Sequence, residues 1–155
     1  MNTEKSFTSA LSITSPAFAD DELMPFLHTC DGSNINPPLR IEHVPADTRS
    51  LVLIMDDPDA PIGVWDHWIK WNISPDINVI EEGKEPEGIS GTGTAGNTNY
   101  HGPCPPSGVH RYLFKLYALD SKLDLLPGAS KKEVEKAMGE HILEKAQLIG
   151  LYKRN

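Results

Sequence analysis

The sequence predicts a mainly antiparallel β protein with one late helix packed against it. Three observations carry this. Several apolar or alternating runs have strand length. Gly- and Pro-rich turns separate them. A single helical repeat comes only near the end. With 155 residues the chain is one domain's length, and a domain of this size buries roughly 70% of its unfolded surface.

In chain order, residues 7–14 (FTSALSIT) alternate weakly and read as a strand, and residues 19–24 (ADDELM) as a short helical turn. Residues 50–56 (SLVLIMD) form the unbroken apolar run expected of a strand buried on both faces. Residues 65–73 (WDHWIKWNI), 110–119 (HRYLFKLYAL) and 147–152 (QLIGLY) also read as strands. The Gly/Pro-rich stretch 83–109 is long enough to be a functional loop. Ser130-Lys131-Lys132-Glu133 is a capping box, and Val134, Ala137, Met138, His141 and Ile142 follow at helical spacing, predicting a helix to about residue 146 with His141 on its inner stripe.

The net charge of −8 argues against nucleic acid as partner, since that binding rests on Lys and Arg neutralising phosphates. It equally disfavours adhesion to anionic membranes. No apolar run approaches the ~20 residues of a spanning helix, and the opening residues lack a signal-peptide core, so a cytoplasmic protein without integral membrane association is expected. Two cysteines, Cys30 and Cys104, are too few for a disulfide scaffold. They read as free thiols of a reducing compartment, with a single bridge as the alternative. The acidic stretch 81–88 (EEGKEPEG) reads as a solvated surface.

Three segments bear chemistry. Asp57-Pro58-Asp59-Ala60-Pro61 follows the apolar strand, and its prolines fix the chain in a turn, so its carboxylates point in set directions. His67 begins an alternating stripe with Ile69, Trp71 and Ile73. His110 and Tyr112 begin another with Phe114, while Arg111 points away toward an acid such as Asp59. Taken singly, each is as readily a turn carboxylate or a satisfied core-edge histidine. Together they suggest polar tips converging over a floor of Trp71 or Phe114, suited to an oxyanion. His101 flanks this region as a rim residue.

Residues 30–39 (CDGSNINPPL), 57–61 (DPDAP), His67-Trp68 with Asn72, and 102–119 (GPCPPSGVHRYLFKLYAL) occur in an order that resembles the phosphatidylethanolamine-binding protein family, also called Raf kinase inhibitor proteins, and its short prokaryotic branch in particular. The resemblance implies two packed antiparallel sheets in a Greek-key arrangement, with one C-terminal helix, short peripheral helical turns and a pocket for phosphate-type anions at one end. It places Asp57, His67, His110 and Tyr112 in that pocket, with Gly102, Pro103 and Cys104 as its loop. Asp59, Pro61 and Arg111 become its scaffold. Eukaryotic members often carry proline where Cys104 stands, and their longer C-terminal segments help cover the pocket, so a more open mouth is expected here.

The resulting expectation is a non-enzymatic binder of a small anion or phospholipid headgroup, with no cofactor and no metal, monomeric or homodimeric, with a possible kinase- or protease-regulating role through an unknown protein partner. The alternative is a hydrolase using Cys104 or Ser107 with His110, disfavoured by the lack of a G-x-S-x-G elbow. A metal site from His67, His110 and a carboxylate is a further possibility by ligand type.

Overall fold

The apolar run of β4 (Ser50–Asp57) is buried at every position and forms the centre of the molecule. The structure, a computed structural model, describes residues 10–154. The other strands are β1 (Ser12–Thr14), β2 (Glu22–Leu23), β3 (Leu39–Glu42), β5 (Trp65–Ile73), β6 (Val79–Ile80), β7 (Ile89–Ser90), β8 (Val109–Leu119) and β9 (Ile142–Lys153), with one α-helix, α1 (Lys131–Met138). They form a six-stranded sheet in the order β2-β9-β8-β4-β5-β7 and a three-stranded sheet β1-β3-β6. The chain leaves the β4–β5 hairpin and returns by a long connection to the far flank of β4, a Greek-key crossing.

Among the described residues every strand pairing is antiparallel except one: β2 runs parallel to β9 at the sheet edge. That pairing also replaces the helical turn expected at 19–24. The peripheral turn of 3-10 helix instead lies at Phe26–His28. The strand expected at 7–14 is described only from residue 10, as β1.

Because β4 is buried on both faces, its side chains alternate between two cores. Leu51, Leu53 and Met55 join Phe114, Leu116 and the smaller sheet's Ile13 and Ile41. Val52 and Ile54 join Ile69, Trp71 and the helix's Val134 and Met138. The capping box is present: Glu133 N donates to Ser130 Oγ (3.2 Å) and Ser130 N to Glu133 Oε1 (2.9 Å).

The helix ends earlier than its apolar spacing suggests. Gly139 takes φ +39°, a turn of 3-10 helix covers Gly139–His141, and β9 starts at Ile142. His141 is accordingly not on an inner stripe. It lies exposed, its Nδ1 2.8 Å from Asp120 Oδ1.

Two register shifts interrupt the β4–β5 pairing. At the first, Leu51 faces Ile73 and Leu53 faces Lys70, leaving one extra residue on β5. Asn72 there has φ +54°, a region asparagine tolerates better than most residues. Its Nδ2 donates to Leu123 O (2.9 Å), and Leu123 N donates to its Oδ1 (2.8 Å). Asn72→Ala forfeits both bonds and strains the backbone, and is expected to cost about 2 kcal/mol in urea unfolding.

The second shift matters more. Met55 faces Trp68 while Asp56 faces Asp66, so His67 is the extra residue of a β-bulge. Its side chain leaves the face of Ile69 and Trp71 and turns toward Tyr112, 5.3 Å away between ring centroids. Strict alternation, which groups His67 with Ile69 and Trp71, fails at this point.

Candidate functional site

The side chains at one end of β4, β5 and β8 border a hollow of about 210 Å³, lined by Asp57, Ala60, Pro61, Trp65, His67, His101, Cys104, Pro105, Pro106, His110 and Tyr112. Asp57 ends β4, His67 sits on the bulge of β5, and His110 and Tyr112 begin the inward face of β8. The β4–β5 hairpin and the sequence-distant β8 thus bring the expected acid, both histidines and the tyrosine together. The apolar lining differs from expectation. Neither Trp71 nor Phe114 borders the hollow, because the bulge sends Trp71 to the helix side and Phe114 lies deeper between the sheets. Trp65, Ala60 and the prolines line it instead.

Each polar tip has a fixed role. His110 Nδ1 lies 2.7 Å from Asp57 Oδ2, and Asp57 Oδ1 accepts from Asp59 N (2.7 Å). Both oxygens of Asp57 are therefore engaged, and the His110 proton is held on Nδ1. His67 donates from Nδ1 to His101 O (2.6 Å), which leaves its Nε2 as the free nitrogen. The His101 ring stacks on His67 at 5.8 Å. Burial pushes the His67 imidazole below its ordinary pKa, so its neutral form dominates at pH 7. The Tyr112 hydroxyl is enclosed without a hydrogen-bond partner among the described residues. Burial first, then the Asp57 carboxylate, pushes its pKa far above the usual phenol value, so it remains a proton donor.

Around these tips stands a frame. Arg111 donates to Asp59 through Nε (2.9 Å), Nη2 (2.9 Å) and its backbone N (2.9 Å), and the guanidinium holds the Asp59 carboxyl down at about 2. This pair tethers the 57–61 turn to β8. Pro61 lies exposed at the mouth.

Gly102 and Pro103 lie behind the wall, buried and outside the lining. Gly102 N donates to Asn34 Oδ1 (2.8 Å), and Pro103 O accepts from Cys30 N (3.0 Å). That seam places Cys30 and Cys104 with Cα atoms 5.4 Å apart, and they form a disulfide across 74 residues of sequence. The free thiols expected from cysteine count are thereby corrected: the seam aligns the two residues, and among the described residues no cysteine is free.

The acidic stretch 81–88 is not merely solvated either. Glu85 turns inward, accepting from Trp68 Nε1 (2.9 Å) and Tyr100 N (2.9 Å) with Lys70 Nζ at 3.6 Å. It anchors the long loop that delivers His101. Nothing in its local sequence distinguishes it from its neighbours. Among the described residues no group of three or more His, Cys, Asp or Glu is arranged to hold a metal ion, and no helix is long and apolar enough to cross a membrane.

Comparison with known proteins agrees with the fold. The model for the family described as phosphatidylethanolamine-binding protein matches residues 14–153. A protein of Methanothermobacter thermautotrophicus described only as a UPF0098 protein is 52% identical over 150 residues, covering 93% of this chain and 99% of the relative. A Chlamydia trachomatis crystal structure, described as a homologue of that family, superposes with a TM-score of 0.92 at 40% identity, covering 94% of this chain and 99% of the other. YbcL of E. coli, described as a member of the mammalian family, superposes at 0.87 with 26% identity, covering 95% of this chain and 100% of the other.

Proposed function

The chain belongs to the phosphatidylethanolamine-binding protein family, and from that premise we propose that its hollow is a non-enzymatic site for a small anionic or phospho-headgroup ligand. Phosphate and phosphoethanolamine are the model compounds. The observation that carries the reading is the enclosed, unpartnered Tyr112 hydroxyl beside two imidazoles whose Nδ1 positions are already committed. An unsatisfied buried hydroxyl costs about 1–3 kcal/mol, and a guest oxygen would relieve it. The mostly apolar lining with few polar tips is typical of a ligand site.

Chemistry on the ligand is not part of the proposal. The Cys104 sulfur is bridged, and Ser107 lies outside the lining, so neither supplies a nucleophile beside His110. The test is thermal unfolding with phosphate, sulfate and phosphoethanolamine. A ligand at 100 times its Kd should stabilise by about 2.7 kcal/mol. No shift at millimolar ligand, or steady turnover of model esters, would count against the reading. Tyr112→Phe should leave unliganded stability equal or slightly higher, because it removes an unpaired polar atom, and should weaken phosphate binding about tenfold. Equal affinity in that variant would remove Tyr112 from the site.

Cytoplasmic residence and a kinase- or protease-regulating role belong to the same proposal. Cell fractionation tests the first, and inhibition assays against purified kinases and proteases test the second.

A further inference from the structure

The disulfide has a position that a purely structural staple does not need. Cys104 is exposed and borders the hollow, while Cys30 lies half-buried behind it. Residues before Cys104 are held independently of the bridge: Tyr100 Oη donates to His28 O (2.7 Å), Gly102 N to Asn34 Oδ1 (2.8 Å) and Cys30 N to Pro103 O (3.0 Å). Residues 105–108 are different. Among the described residues no hydrogen bond holds them, and the next fixed point is Val109, paired with Lys153 at the start of β8. Pro105 and Pro106 in this span are walls of the hollow. The bridge is thus the anchor of one wall and is largely dispensable for the seam behind it.

Electrostatics distinguish the two sulfurs. Arg154 Nη1 lies 3.7 Å from Cys104 Sγ, and Arg154 also pairs with Asp31 (3.1 Å), the neighbour of Cys30. The cation draws an incoming thiolate to Cys104 Sγ, and its pairing with Asp31 offsets the negative charge next to Cys30 in sequence.

We propose that the Cys30–Cys104 disulfide is a redox gate on the hollow. Oxidised, it fixes the Cys104–Pro106 wall and the site is formed. Reduced by a dithiol, the wall loosens and the site is lost while the fold persists. One thiolate of the dithiol attacks the exposed Cys104 Sγ, and Cys30 leaves as a thiolate. The second thiol of the reductant then attacks the mixed disulfide and releases Cys104 as a thiolate beside Arg154. Each released thiolate takes up one of the two protons given off by the reductant's thiols, so the protein gains two electrons and two protons and the reductant closes its own disulfide. In a reducing compartment such bridges are usually transient and sensing rather than structural.

The test compares oxidised protein, dithiol-reduced protein and Cys30→Ser, using backbone ¹⁵N order parameters and sulfate titration. Only the sulfate arm rests on the oxyanion reading above. Reduction should lower the order parameters of Ser107 and Gly108 below about 0.6, leave β4 and β8 near about 0.85, and weaken sulfate binding at least about tenfold. Cys30→Ser should behave as the reduced form does. Unchanged order parameters at 107–108, or loss of order throughout the chain, would overturn the gate, as would equal sulfate affinity in both redox states. A loop that responds to reduction in a protein that binds no sulfate in either state would leave the redox device standing and remove the oxyanion reading.

Discussion

Gly102→Ala will destabilise the protein by about 3 kcal/mol or more, the upper end of overpacking effects. A Cβ at this position would lie 2.1 Å from the His28 carbonyl oxygen and 2.5 Å from Asn34 Oδ1. The first obstacle is backbone, which no rotamer change removes. The same displacement would break the Gly102 N to Asn34 bond and separate Pro103 O from Cys30 N, so the seam that aligns the disulfide would open with it. Gly108→Ala is the control. Gly108 has φ +71° but open space around its Cβ direction, so that variant carries only the left-handed backbone strain of about 1 kcal/mol. Urea unfolding of both variants, oxidised, decides the matter. Equal costs would mean that the seam yields freely, and that the close approach of the two segments is not what places the wall.

How this site was legible from sequence depends on the regularity of each strand. On β8, burial alternates from His110 through Ala118 as the period-2 pattern predicts, so the inward placement of His110 and Tyr112 was readable. β4 was readable for a different reason, an unbroken apolar run of strand length that only burial on both faces accommodates. His67 reached the hollow by another route: the bulge turned it out of the Ile69–Trp71 face, and a bulge leaves no periodic signature when polar and apolar residues already mix. Its stripe with Trp71 puts His67 among the converging polar tips but on the wrong face, and the resemblance of His67-Trp68 to a known motif assigns it to the pocket whichever face it takes. The first half of β9 was hidden because Ile142 continues the spacing of α1, and the signal that ends the helix is the single residue Gly139. The disulfide and the inward turn of Glu85 are long-range outcomes, fixed by which segments the sheets bring together, and local patterns do not encode them.

Sulfate affinity should rise as pH falls, approaching tenfold per unit for each proton taken up on binding. The reason is the direction of the committed protons. His67 gives its Nδ1 proton to His101 O and His110 is paired through Nδ1 with Asp57, so in their neutral forms both rings offer Nε2 as an acceptor. Two acceptors face a guest that is itself an acceptor, and only Tyr112 donates. Protonation of an imidazole reverses this, so oxyanion binding and proton uptake are linked. Because burial depresses the His67 pKa in the free protein, its contribution keeps growing as pH falls past the ordinary imidazole value of about 6.5 and levels off only below the depressed value. Asp57 favours the charged form of His67, while Asp59 is paired with Arg111. For the unliganded protein the sign is opposite. The unfolded chain binds a proton at His67 more readily than the folded one, so this group's contribution to stability is complete above about 6.5 and is lost as pH falls toward the depressed value. Sulfate should therefore protect against acid most strongly where the free protein is weakening. Calorimetric titration of sulfate between about pH 8 and pH 5.5, in buffers of different ionisation enthalpy, reads the protons directly. His67→Gln should flatten the acid limb. Sulfate that binds with no proton uptake and a flat pH profile would mean that the donors to the guest are not these imidazoles.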